Sequence, residues 1–254
     1  MKQYNATRNL DHGFEKDREH GIVTMRKQES GIKKMIMVDA NNFKDFYNLE
    51  DFKHVIVVRN IAIILNNNIG KLDESVLQYA CLLHDCGKKI KKKQTTTCKH
   101  EVIGADYFLS IKDQVENELL NYGASKETVD RKIKCIYCAI LFHSSVMSAA
   151  DKNQQLWDEL NSDEKTIVIC VYAADTIAKA FKNKNRYFGK WIKKDIVDVV
   201  YKRINSIDLS GIDDSIKKKS LLLLDLITNK DSYDSLLTFN SYIFQKWQRY
   251  MNVM

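Results

Sequence analysis

No proline occurs anywhere in the 254 residues, and this absence is the strongest constraint on the fold. Proline kinks or breaks helices, so helical segments along this chain are free of that kind of interruption. Only nine glycines are present, which leaves few residues suited to tight turns between strands. The sequence therefore predicts an all-α protein, and its length fits one large domain or one domain with an appendage.

Apolar residues recur at helical spacing from Phe52 onward. Residues 66–70 should end the first of these helices, and Asp73 is expected to cap the second. A Lys/Thr-rich segment, about residues 88–99, is expected to be a loop that leads to a helix starting near His100. Further helices are expected with caps at Ser125 and Ser162 and at about residues 190–206, 214–228 and 232–250.

The periodicity divides the chain into three parts. Residues 1–50 are polar and weakly periodic and are expected to form a partly ordered N-terminal arm. Residues 51–185 are expected to form the main helical domain, and residues 186–254 to add helices that pack on it. No apolar run approaches the about 18 residues of a membrane span, and the start of the chain is too polar for a signal peptide. We therefore expect a cytoplasmic protein without a membrane partner; nothing in the sequence predicts its oligomeric state.

Six cysteines are present, and two of them, Cys135 and Cys138, form a CxxC motif inside a helical pattern. In a reducing compartment all six are expected to be thiols. No second pair stands at zinc-ribbon spacing. Two interpretations are therefore open: buried small apolar residues, or a zinc site.

Lysine accounts for the formal net charge of +7, with runs at residues 88–93 and 215–220. One interpretation is that these runs are solvated helix ends and loops. The other is that they attract a polyanion, either a nucleotide or a nucleic acid. Charge alone does not decide between the two.

Histidine and aspartate residues fall on the apolar, core-facing stripes of four predicted helices. The residues on the stripes are His54, His84, His143 and Asp175, and Asp85 and His100 stand at element ends beside them. A buried charge is costly without a partner, so a buried carboxylate needs a cation or hydrogen-bond donors. Any one of these residues could be structural, but four helices that each point one inward are explained most simply by a shared cation. Imidazole and carboxylate ligands suit Mn, Fe, Co, Ni or Zn.

At these residues the sequence resembles the HD superfamily of metal-dependent phosphohydrolases, over about residues 52–182. LLHDCGK, residues 82–88, is similar to the apolar-HD-x-GK signature of that family. HVIVVRNIAIIL (54–65) and YAADTIAKA (172–180) resemble its first and last metal-binding helices. HEVIGADYF (100–108) and ILFHSS (140–145) resemble the further histidine segments of dinuclear members. The resemblance implies an HD-domain helical bundle.

The resemblance also implies one or two divalent transition metal ions. The implied ligands are His54, His84, Asp85 and Asp175 for one ion, and His100, His143 and the shared Asp85 for the other. Asp85 is further expected to act in catalysis, and Lys88 either holds a phosphate oxygen or is a solvated lysine. Many dinuclear relatives have a second histidine where this chain has Ser144, so the second site is expected to be weaker or completed by water.

Three other groups of residues have open interpretations. His12 and His20 lie in acid-His-Gly triplets of the N-terminal arm. They could belong to a substrate lid, act as extra metal ligands or be solvated residues. Glu101 and Asp106 either orient a ligand imidazole or supply a general acid, or are exposed carboxylates. Residues 182–191, KNKNRYFGKW, either meet a phosphate or base or form an aromatic packing cluster.

The function implied is hydrolysis of a phosphomonoester or phosphodiester of a nucleotide by metal-activated water, and a nucleotide or phosphodiester small molecule is the expected partner. A metal-dependent nuclease on single-stranded nucleic acid is an alternative, because CRISPR-associated HD nucleases have a similar ligand set. The positive charge favours it, although no run of aromatics alternates with basic residues. A di-iron oxygenase and a non-catalytic regulatory module also stay open; degenerate HD domains usually lose ligands, and this chain has the full set.

Overall fold

Helices follow one another through the described part of the chain. The computed structural model describes residues 38–70, 72–93, 97–121, 123–145, 153–181, 194–207, 209, 212 and 214–228. Those residues contain helices and no strand, which confirms the all-α prediction. A 3-10 helix at Ala40–Phe46 precedes α1 (Leu49–Ile69), α2 (Glu74–Leu83), α3 (Gly87–Lys93), α4 (His100–Asn121), α5 (Lys126–Phe142), α6 (Gln154–Asp158), α7 (Ser162–Phe181), α8 (Lys194–Asn205) and α9 (Ser215–Thr228). The helix expected at residues 232–250 lies outside the described residues.

Local sequence determines several of the helix ends. The Asp73 carboxylate accepts hydrogen bonds from two backbone N–H groups at the start of α2. The Ser125 side chain accepts one at the start of α5. Gly70 ends α1 with a φ of 74°, a left-handed conformation that glycine adopts without steric cost. The structure confirms these three predicted boundaries.

Two expectations about helix positions are wrong. Ser162 does not cap α7; the side chain of Asn161 accepts a hydrogen bond from the Glu164 N–H, and the Glu164 carboxylate accepts one from the Asn161 N–H. Residues 88–93, expected to belong to a loop, lie in α3. Lysine has a good helix propensity, and its charged end can stay in water, so a run of lysines does not by itself break a helix.

The core lies where α1, α2, α5 and α7 pack together. α1 packs on α2 and α7, α5 also packs on α2 and α7, and α4 packs on α5 and α3. Fully buried apolar side chains such as Val58, Leu77, Ile140 and Val171 fill the interior. Burial of one such side chain contributes about 1.5–3 kcal/mol to folding.

The C-terminal helices pack on the same core. α8 contacts α7, and α9 contacts α1, α7 and α8. All described residues belong to one compact unit, and the domain boundaries near residues 50 and 185 stay predictions. Among the described helices, none is apolar over a length that would cross a bilayer.

Candidate metal centre

The structure brings together all six residues predicted to bind metal. They are His54 in α1, His84 and Asp85 directly after α2, His100 at the start of α4, His143 directly after α5, and Asp175 in α7. Five are buried and His100 is partly exposed. Their nitrogen and carboxylate oxygen atoms form three overlapping groups, and the ligand atoms within each group lie within 4.8 Å of one another.

Asp85 stands at the centre, with one carboxylate oxygen toward each pair of histidines. Its Oδ2 lies 3.5 Å from His54 Nε2 and 3.3 Å from His84 Nε2. Its Oδ1 lies 3.3 Å from His100 Nε2 and 3.4 Å from His143 Nε2. Each oxygen therefore has two imidazole nitrogens beside it, an arrangement suited to a carboxylate shared by two cations.

Asp175 completes the group around Asp85 Oδ2. Its Oδ1 lies 3.0 Å from His54 Nε2 and 3.8 Å from His84 Nε2. Its Oδ2 accepts a hydrogen bond of 2.5 Å from the ammonium of Lys179, one helical turn further on. Sequence reasoning missed Lys179, although its i,i+4 spacing from a candidate ligand could have revealed it.

Lys88 lies at the exposed edge of the centre. Its ammonium contacts Asp85 Oδ2, and its side chain is 22% exposed. Each of the two central aspartates, Asp85 and Asp175, thus has a lysine against one oxygen. Two partly exposed ammonium groups therefore lie beside the buried carboxylate pair.

Helix ends orient two of the imidazoles. Nδ1 of His84 donates a hydrogen bond of 2.7 Å to the carbonyl oxygen of Cys81, and Nδ1 of His143 donates one of 2.7 Å to that of Ile140. A proton on Nδ1 leaves the lone pair on Nε2, and Nε2 is the atom that faces Asp85. The same hydrogen bonds satisfy carbonyl groups that would lack a partner at a helix C-terminus.

Two buried atoms at the centre, His84 Nε2 and Asp85 Oδ1, make no hydrogen bond within the described part of the chain. A buried polar atom without a hydrogen bond costs about 1–3 kcal/mol. Both atoms are metal-ligand types, and both face other such atoms. The donor set of imidazole nitrogen and carboxylate oxygen therefore fits a divalent transition metal ion.

The pKa values of Asp85 and His54 at the centre are both shifted from their ordinary values. Burial raises the pKa of Asp85, but the neighbouring imidazoles, His84 foremost, outweigh it and hold that pKa well below the ordinary value. Burial lowers the pKa of His54, in spite of its hydrogen bond to Asp175. Ionised carboxylates and neutral imidazoles are the forms that bind metal ions.

A chain of polar contacts supports His100. Ser144 Oγ donates a hydrogen bond of 2.9 Å to Glu101 Oε1, and Glu101 Oε2 lies 3.2 Å from His100 Nδ1. Burial raises the pKa of Glu101, but hydrogen bonds from its own N–H and from Ser144 hold the pKa below the ordinary value. Of the two carboxylates considered from the sequence, Glu101 thus contacts a candidate ligand, whereas Asp106 is exposed.

Ser144→Ala is expected to weaken binding of one metal ion by about tenfold and to leave the other unchanged, because loss of a partner behind a metal ligand typically costs 10- to 100-fold. Calorimetric titration of metal-free protein with Mn²⁺ measures both affinities. Ser110→Ala is the matched control, since that hydroxyl bonds to the Tyr107 carbonyl on the exposed side of α4. Equal weakening at both sites would contradict the supporting role of Ser144.

The cysteines join none of the ligand groups formed by the described residues. Cys135 and Cys138 are buried in α5, and burial raises the pKa of both thiols, that of Cys138 to about 12. Protonated thiols in a core behave as small apolar groups, which favours that interpretation of the CxxC motif. His12, His20 and residues 182–191 lie outside the described residues.

Four histidines and two aspartates from five helices of one bundle thus form a candidate metal-binding site. The HD domain family matches residues 51–180, about half of the chain, and the chain belongs to this family. It is also similar to the CRISPR system single-strand-specific deoxyribonuclease Cas10/Csm1 (subtype III-A) of Streptococcus thermophilus, with 27% identity over 180 residues. That match covers 66% of this chain but only 23% of the length of the relative. No solved structure matches the chain.

Proposed function

We propose that this protein is a metal-dependent phosphohydrolase that cleaves a phosphomonoester or phosphodiester bond of a nucleotide. The observation that supports this most is the position of Asp85, whose two carboxylate oxygens each border a pair of imidazoles. One or two divalent ions bound there would supply an activated water and would neutralise charge on the phosphate. Mn, Fe, Co, Ni or Zn would suit this ligand set.

The chain's own residues have distinct proposed roles. The proposed metal ligands are His54, His84, Asp85, His100, His143 and Asp175. Asp85 is also the proposed catalytic carboxylate, because it borders both groups of ligands. Lys88, beside Asp85 and partly exposed, is proposed to bind a phosphate oxygen of the substrate. Lys179 holds Asp175 Oδ2, which keeps the other oxygen turned toward His54.

A second candidate function is a nuclease that acts on single-stranded nucleic acid. The similar protein of Streptococcus thermophilus is named as a single-strand-specific deoxyribonuclease, and the match covers 66% of this chain. The net charge of +7 also favours a polyanionic substrate. Both candidates use the same site and the same attack on phosphorus, and a cytoplasmic location is proposed for either.

Elemental mass spectrometry on protein purified without chelators or metal-affinity resin tests the proposal. We expect two metal ions per chain in the wild type and about one in His143→Ala, because His143 contacts Asp85 through Oδ1, the oxygen that also faces His100. The wild type should hydrolyse bis(p-nitrophenyl) phosphate, a nucleotide or an oligonucleotide, and EDTA should abolish that activity. His84→Ala should lose metal and activity together.

The other functions predict different results. Failure to bind metal under any reconstitution would overturn the hydrolase and favour a regulatory module. Bound iron with turnover that depends on dioxygen would favour an oxygenase. One ion per chain that His143→Ala leaves in place would restrict the site to His54, His84, Asp85 and Asp175.

A further inference from the structure

The segment between two of the proposed ligands, His84 and His100, is strongly basic. Residues 84–100 hold six lysines and a single carboxylate, that of Asp85. Five of these lysines belong to α3, whose first residue, Gly87, is separated from Asp85 by Cys86 alone. α3 packs against α4, and His100 is the first residue of α4. A basic helix therefore begins at the edge of the candidate metal centre.

The lysines cover the outer side of α3. At about 100° per residue they span a continuous arc of about 200°, and Gly87 and Ile90 occupy the remaining side. Gly87 is buried against α4, because a Cβ at this position would lie 2.0 Å from the carbonyl oxygen of His100. The lysine side of α3 thus faces away from α4. We call this side, formed by Lys88, Lys89, Lys91, Lys92 and Lys93, the α3 lysine face.

Part of the α3 lysine face is already paired with protein groups. The paired residues are Lys88 with Asp85, Lys89 with the carbonyl oxygen of Asp45, and Lys92 with Asp51, whose Oδ2 lies 3.2 Å from the lysine nitrogen. Lys91 and Lys93 have no ion-pair partner among the described residues; Lys93 is exposed and Lys91 partly so. Two ammonium groups that have no ion-pair partner among the described residues therefore lie later in α3 than Lys88, at the two edges of the α3 lysine face.

We propose that the α3 lysine face guides a single-stranded nucleic acid to the candidate metal centre, with Lys88 at the reacting phosphate and Lys91 and Lys93 at phosphates beyond it. This inference rests on the proposed hydrolytic function and selects its second candidate. A free nucleotide has its phosphates at the centre and gains little from the outer lysines. A strand continues past the centre, and α3 rises about 10 Å, enough to contact more than one phosphate. Each contact releases counterions and strengthens binding.

Fluorescence anisotropy with a labelled oligothymidylate over a range of KCl concentrations tests the proposal, with Ca²⁺ present so that binding is measured apart from turnover. The double variant Lys91→Ala/Lys93→Ala should bind about tenfold more weakly at low salt. Its plot of log affinity against log salt should be shallower by about 1.4, since each phosphate contact of a single strand contributes about 0.7. Its metal content and its KM for bis(p-nitrophenyl) phosphate should not change.

The matched control is Lys112→Ala/Lys202→Ala, which removes two exposed lysines of α4 and α8. Equal weakening in both double variants would show diffuse attraction by net charge and would overturn the proposal. Tighter binding of duplex than of single strand would overturn the assignment to a single strand. If the protein hydrolyses an oligonucleotide but Lys91→Ala/Lys93→Ala binds it as tightly as the wild type does, the role of the α3 lysine face is overturned. The proposed hydrolase function would still stand. Lysine-dependent binding without hydrolysis of any phosphodiester would overturn the proposed function and leave the binding surface standing.

Discussion

Asp85→Asn is expected to reduce hydrolysis by about 10³-fold or more and to lower the occupancy of both metal ions. The amide keeps the size of the side chain, but it loses the negative charge and replaces one acceptor oxygen by a donor. Both carboxylate oxygens of Asp85 border imidazole nitrogens, so no orientation of the amide preserves both groups. Losses of this size are usual when one member of a catalytic unit is removed. Turnover and metal content should be measured on the same preparation.

Asp175→Asn is the comparison variant, because it also removes a buried negative charge but at a residue that is not shared between the two groups of ligands. Asp175 borders His54 and His84, so this variant should lose the ion on that side and keep the one between His100 and His143. Asp198→Asn, an exposed change on α8, controls for loss of a carboxylate as such. Full metal content in Asp85→Asn, or the same single-ion loss in both central variants, would contradict the shared role of Asp85.

Gly87→Ala is expected to move the start of α4 and to detach His100 from the centre. The added Cβ would lie 2.0 Å from the His100 carbonyl oxygen and 2.6 Å from the backbone nitrogen of Gly104. Both neighbours are backbone atoms, which cannot rotate aside as a side chain can. Overpacking of this kind costs about 1–3 kcal/mol, so the melting temperature should fall together with occupancy of the second metal site.

Gly104→Ala is the graded control for this steric prediction. Its Cβ would meet atoms at 3.2–3.4 Å, one of them a methyl group of Ile140 that can shift. Thermal unfolding and metal analysis should therefore show a smaller loss than in Gly87→Ala. An unchanged melting temperature and full occupancy in Gly87→Ala would contradict the close approach of α3 to α4. The glycine of the HD-x-GK signature would then need another explanation.

Helical periodicity was enough to predict which residues turn inward, because the side of a helix that carries apolar residues is the buried one. His54 and Asp175 could be grouped in this way although they lie 121 residues apart. His100 stands at a helix start beside these stripes, and the family resemblance added its assignment to the second ion. The prediction for α3 was wrong, because its lysine-rich composition is typical of a loop. Only Gly87 and Ile90 interrupt the lysines, which is too few residues for a helical periodicity to be recognised.

Contacts between side chains of different helices were beyond the sequence. The hydrogen bond from Ser144 to Glu101 joins residues that lie 43 positions apart, and the sequence offered Ser144 only as a departure from the family pattern. Such contacts depend on the angle and register at which helices pack, which patterns within one helix do not specify.

The candidate ligands come from five separate helices, and this has a consequence for the stability of the folded protein. A cation held between His54 and Asp175 would join residues that lie 121 positions apart, and because folding alone brings them together, it would bind the folded chain in preference to the unfolded one. By mass action, the folded fraction would then rise and fall with the concentration of free metal. Metal-free protein is therefore expected to unfold at a lower temperature than the metal-bound protein. The resistance of this chain to heat and to proteases would therefore depend on the supply of metal.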